Sequence, residues 1–180
     1  MTKPIAVIWA DIASWLAVHA SGRAAELLPG ADDAAIASLE DGIGASLAPD
    51  HAASLRVHNG MATLTSYQYL DSEAVLAKWQ SRAPLAKDER HPHDPSGAQF
   101  RNVWWHHGWV PFAEDSGGNL LCIDLDPGPE GKAGQVLVWE MAMGPGLAGA
   151  DSLGTWLEDY CAGLKAGRFA VDEEGYLSER

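Results

Sequence analysis

The chain has 180 residues, 47% of them hydrophobic and 21% charged, which suits one domain with a sizeable core and argues against a mainly disordered chain. Its 25 acids against 12 bases give a formal charge of -13, which argues against a nucleic-acid binder and against an anionic membrane surface. The excess is uneven: residues 1–90 hold 11 acids and 7 bases, and residues 91–180 hold 14 and 5.

Ile5, Ile8, Ile12, Trp15 or Leu16, and His19 recur at helical spacing and predict an amphipathic first helix. Asp32 or Asp33 caps a second helix with Ile36 and Leu39 inward, stopped by Gly42 and Gly44. Pro49 and Asp50 start a third, short helix, closed by the turn His58-Asn59-Gly60. The period then changes, and residues 61–70 predict one or two strands. Asp71 or Ser72 caps a helix carrying Val75, Leu76 and Trp79.

Residues 83–102, with three prolines and two histidines, are expected to form a long exposed loop, either mobile or functional. Residues 104–113 predict a strand, which would send Trp104 and Trp105 to opposite faces and leave one of them exposed. Glu114 to Asn119 is turn chemistry, and residues 120–125 form a continuous apolar run suited to a central buried strand. A rigid loop at 126–131, a strand at 135–141 and a loop at Pro145, Gly146 and Gly149 follow. Asp151 or Ser152 caps a last helix that Gly167 ends, and the acidic tail at 170–180 is expected to fray. Helices, a strand-rich centre and a final helix predict a single α+β domain with a central antiparallel or mixed sheet.

Cys122 lies in an apolar run and Cys161 in a helical pattern, so both read as buried free thiols in a reducing compartment. The apolar N-terminal stretch is cut by Asp11 and lacks a basic start, and the expected location is the cytoplasm.

Four kinds of chemistry have candidate residues in the chain. His91, His93, His106 and His107, with Asp124 and Asp126, lack the close spacing of a zinc site, and no metal or cofactor is expected. Cys122 among Leu, Ile and acids suits an inert protonated thiol. Glu114, Asp115, Asp124, Asp126, Glu130 and Glu140 could supply an acid and a base, but in so acidic a chain turn carboxylates are ordinary. Gly117-Gly118 is explained by a hairpin turn and not by a phosphate loop.

The text from Trp109-Val-Pro-Phe through Gly117-Gly-Asn-Leu-Leu-Cys-Ile-Asp-Leu to Gly134-Gln-Val-Leu-Val-Trp139 resembles the SUKH superfamily. Leu28-Pro29-Gly30, His58-Asn59-Gly60 and residues 152–169 agree with it in order, so the resemblance covers nearly the whole chain, with residues 86–101 longer and more polar than the family pattern. That group holds Smi/Knr-type fungal cell-wall assembly regulators and bacterial toxin-immunity proteins. The resemblance implies an α+β fold and a binding protein with no catalytic residues. Its bacterial members imply an immunity protein that neutralises a cognate toxin, and its fungal members imply a regulatory scaffold. A hydrolase using the His and carboxylate groups is a third reading.

A chain of charge -13 could meet a basic, nuclease-like toxin cleft by imitating its substrate. The expected contact set is Glu114, Asp115, Asp126 and Glu130, with Trp105 as an aromatic anchor. Gly117, Gly118 and Asn119 are expected to form a turn, and Trp109, Leu121, Cys122 and Trp139 to lie in the core.

Overall fold

A computed structural model of the chain describes residues 2–61, 63–88, 98–173, 175 and 177–180. Its centre is a five-stranded antiparallel sheet in the order β1 (Tyr67–Tyr69), β2 (Trp109–Asp115), β3 (Leu120–Asp124), β4 (Val136–Glu140), β5 (Gly144–Leu147). The apolar run at 120–125 supplies the middle strand, and all five residues of β3 are buried. Asp115 closes the β2–β3 hairpin by accepting bonds from the Gly117 and Asn119 amides at 2.9 and 2.8 Å. Gly118 takes φ 80° there, a left-handed conformation that favours glycine. A register shift between Pro111 and Ala113 adds one residue to β2, and Phe112 and Ala113 both reach the same core layer.

Among the described residues six α-helices pack around the sheet: α1 (Ile5–His19), α2 (Ser21–Ala24), α3 (Asp33–Ile43), α4 (Pro49–Val57), α5 (Ser72–Arg82) and α6 (Leu153–Ala166). Their ends follow from local chemistry. Asp32, Asp71 and Ser152 accept from the amides of Ala35, Ala74 and Thr155, and Ser152 with Thr155 completes a capping box. Gly44 and Gly167 end α3 and α6 in the left-handed conformation. One sheet face carries Phe112, Leu121, Ile123 and Val136 against Ile8, Trp9 and Ile12 of α1 and Leu157, Tyr160 and Leu164 of α6. A second cluster joins α3, α4 and α5 through Ile36, Leu39, Leu55 and Val75. The opposite sheet face carries Trp109, Leu120, Cys122, Leu137 and Trp139.

That second face explains where the expected strand at 104–113 departs from the structure. Residues 101–108 are irregular, and β2 begins only at Trp109. Without a pleat there is no alternation, so Trp104 and Trp105 both turn inward, with 6% and 1% of their surfaces exposed. The Trp105 ring meets Trp109 and Trp139 edge-on at 5.9 and 5.5 Å between centroids, and the Trp139 indole donates to the Trp104 carbonyl at 2.7 Å. Burial removes Trp105 as an exposed anchor.

Two further expectations are corrected. The stretch at Pro145 and Gly146 is an edge strand, β5, a place where proline costs no ladder bond on its outer side. The C-terminal tail folds back as a hairpin of β6 (Phe169–Val171) and β7 (Leu177–Glu179), held by burial of Phe169 and Leu177. Within residues 83–102, Ala83–Lys87 form a 3₁₀ turn and Phe100 is buried against Trp109, while Arg101 and Asn102 are exposed. Residues 89–97 of that segment lie outside the described residues.

Candidate protein-binding surface

The sheet separates the four expected contact carboxylates into two pairs. Asp115 pairs with Tyr67 at one end of β2, and Trp109 faces Asp124 at the other end. A seven-residue strand spans about 20 Å, so Glu114 and Asp115 stand that far from Asp126 and Glu130, and the four do not form one patch.

Each pair also has local work. Glu114 meets Lys78 of α5 at 2.6 Å. Asp115 carries the hairpin turn and accepts from the Asn119 side-chain amide at 2.8 Å. Asp126 meets Arg101 at 2.6 Å, and the Arg101 guanidinium holds its carboxyl below the usual carboxylate range. Glu130 has an exposed side chain, and its amide donates to the Ala98 carbonyl at 2.9 Å.

The groups weighed for catalysis are built into the fold. Burial pushes the Cys122 thiol well above its ordinary range, with Asp124 adding to the effect, so the protonated thiol persists. His106 accepts from the Gly108 amide through Nδ1 at 3.1 Å and lies 3.6 Å from Asp126, and burial lowers its pKa. His107 offers its carbonyl to the Trp79 indole. Asp124 is buried; burial raises its carboxyl to about 6, against the bonds it accepts from Gln135 and the Asp126 amide. Among the described residues no three His, Cys, Asp or Glu gather as metal ligands, and His91 and His93 lie outside the described residues.

Among the described residues, several open grooves line the surface, two of them of about 470 Å³ each. The first runs between α3 and the start of α5, where Asp71 caps α5 and Asn59 accepts from the Ser72 amide. The second lies where α6 and the β6–β7 hairpin leave part of the sheet uncovered. Leu121, Val138 and Ala148 form its floor. Trp156 and Tyr160, stacked at 5.9 Å, come from α6, and Phe169 and Leu177 from the hairpin. Asp159 and Glu179 stand on its rim with side chains 70% and 66% exposed, on either side of Arg168.

None of these groove residues was in the expected contact set, because the groove draws on segments from Thr65 to Glu179. The signals available in the sequence were the Trp156/Tyr160 spacing on one helix face and the alternation in Phe169-Ala-Val and Leu177-Ser-Glu.

The pattern of the SMI1 / KNR4 family (SUKH-1) matches residues 30–159, most of the chain and all five strands of the sheet. The chain belongs to the SMI1/KNR4 family. It is 28% identical over 97% of its length to a fission yeast protein named cell wall biosynthesis/cell cycle regulator smi1, from Schizosaccharomyces pombe. It is 27% identical over 68% of its length to the cell wall assembly regulator SMI1 of Saccharomyces cerevisiae, and 34% identical over 43% to a glucan synthesis regulatory protein of Neurospora crassa. This SUKH-1 chain spans 39% of the length of the fission yeast relative, and its match spans 24% and 14% of the other two. Among the described residues no helix is long and apolar enough to cross a membrane.

Proposed function

We propose that this SMI1/KNR4 domain is a non-catalytic regulatory module that acts by binding another protein in the cytoplasm. The observation that carries the reading is the family match together with the names of its relatives, which are those of regulators and not of enzymes. Site chemistry supports it: the Cys122 thiol is sealed in the core, and His106 and Asp124 are engaged in holding loops. The test is crosslinking of the tagged protein in its native cell. A partner protein recovered in stoichiometric amount is the expected result. Turnover of a small molecule by the purified protein, lost in His106→Ala or Asp124→Asn with the fold intact, overturns it.

A second reading, immunity against a delivered toxin, draws on the charge of -13 and its concentration in the second half of the chain. Co-expression with the product of a neighbouring toxin gene tests it. Rescue from toxicity with a stable complex favours immunity over endogenous regulation.

A further inference from the structure

We propose that the groove between the sheet, α6 and the β6–β7 hairpin takes an extended, basic peptide segment of a partner protein. The inference rests on the protein-binding reading above and adds where the partner docks and what chemistry it presents.

Shape sets the conformation of the ligand. Tyr67 on β1 and Ala148, the residue that follows β5, both line the groove, and β1 and β5 are the opposite edges of the five-stranded sheet. Four interstrand spacings separate those edges, about 19 Å, the length of roughly six extended residues. The floor is apolar and crosses the strands: Leu121 and Val138 are register partners on β3 and β4. An extended segment alternates its side chains, so every second residue would be apolar and face this floor.

Charge sets the sign. Asp159 and Glu179 line the groove, and Asp115 and Glu140 are close enough to act on the Tyr67 phenol in its wall. Arg168 is the counter-charge: its guanidinium donates to Asp159 at 2.6 Å and lies 3.6 Å from Glu179. Arg168 thus answers two of these carboxylates, while Asp115 and Glu140 stand on the Tyr67 side of the groove. The half-buried Trp156 ring, stacked on Tyr160, lines the groove three residues from Asp159, where a further cation could meet both the ring and the carboxylate. Lys or Arg at the alternate positions would complete both the charge and the ring, their aliphatic stems lying along the groove walls.

The test is selection of phage-displayed random octapeptides on the wild-type protein, with binding then measured on two variants. Asp159→Lys/Glu179→Lys reverses the rim, and Ser178→Lys adds a cation at an exposed groove position. Thermal melts establish that both fold. The expected peptides alternate Lys or Arg with apolar residues. They lose about tenfold or more in affinity on each folded variant, weaken between ~50 and ~500 mM salt, and perturb the Trp156 indole. No enrichment, neutral or acidic winners, binding to both folded variants as tight as to the wild type, or occupation of the groove by a neutral oligosaccharide instead overturns the proposal. A cellular partner retained by the rim-reversed variant removes the groove but leaves the regulatory reading standing; absence of any partner for the wild-type protein removes that reading itself.

Discussion

The Gln135 side-chain amide donates to the buried Asp124 carboxylate at 2.9 Å and, through the same nitrogen, to the Gln99 carbonyl at 2.8 Å. One amide therefore ties the end of β3 to the segment that leads into the tryptophan-rich face. Gln135→Leu leaves Asp124 buried with the Asp126 amide as its remaining named donor, and the Gln99 carbonyl with the Gly128 amide alone. A loss of about 1–3 kcal/mol is expected, read as a lower denaturation midpoint in urea.

Asp124 and His51 should pull stability in opposite directions over one pH range. The Asp124 carboxyl is raised to about 6, so its folded state favours the proton; its contribution is full below the ordinary carboxylate pKa and is lost as pH rises to 6. Asp124→Asn should flatten that decline in a pH series of urea melts. A decline of unchanged size in the variant would show that another group causes it.

His51 behaves in the reverse way. It is fully buried on α4, its ring nitrogens find no hydrogen-bond partner among the described residues, and burial pushes it down to about 4. The neutral ring is favoured in the fold, so its contribution is full above pH 6.5 and is lost as pH falls toward 4, a swing of about 3 kcal/mol. His51→Leu keeps similar volume and removes the titrating group. The variant should melt higher than wild type at pH 5, with a smaller difference at pH 7. Equal differences at the two pH values would assign the acid sensitivity elsewhere.

Much of this fold was legible because the signals are local. A carboxylate or hydroxyl at Asp32, Asp71 or Ser152 finds its amide three residues on, and Gly44 and Gly167 mark helix ends by backbone freedom alone. The run at 120–125 marks a central strand by burial on both faces. What was not legible depends on distant partners. Trp104 and Trp105 read as strand by composition, yet Trp139 draws both inward. Gly144–Leu147 reads as loop, yet β4 offers it a ladder. Glu114 and Asp126 look free in sequence until Lys78 and Arg101, each more than 20 positions away, arrive beside them.

Asp115 should act on folding before recognition. Its carboxylate accepts three bonds, from the Gly117 amide, the Asn119 amide and the Asn119 side chain, while Asn119 in turn accepts from the Met141 amide at 3.0 Å. Asp115→Ala frees three donors at once and loosens the link to the β4–β5 connection. A loss of about 2–3 kcal/mol is expected. Asp115→Asn keeps an acceptor and should recover part of it. A partner-binding role with no structural one would leave both melting temperatures unchanged.

Gly131 tests how the segment after residue 97 is held. A Cβ on Gly131 would lie 1.8 Å from the Gln99 carbonyl oxygen, a backbone atom that has no side-chain freedom with which to yield. Around it the Gly128 amide donates to Gln99 and the Glu130 amide to Ala98, at 3.0 and 2.9 Å. Gly131→Ala must therefore push residues 98–100 off the 126–131 loop, taking Phe100 from its edge-on contact with Trp109. The expected cost is about 1–3 kcal/mol, together with faster amide exchange at Gly128 and Glu130, whose acceptors move away. Exchange at Leu121 and Ile123 in the middle strand should stay slow, because β2 and β4 flank them on both sides. If exchange rose equally across the sheet, the segment would be part of the central folding unit and not a strap laid over it.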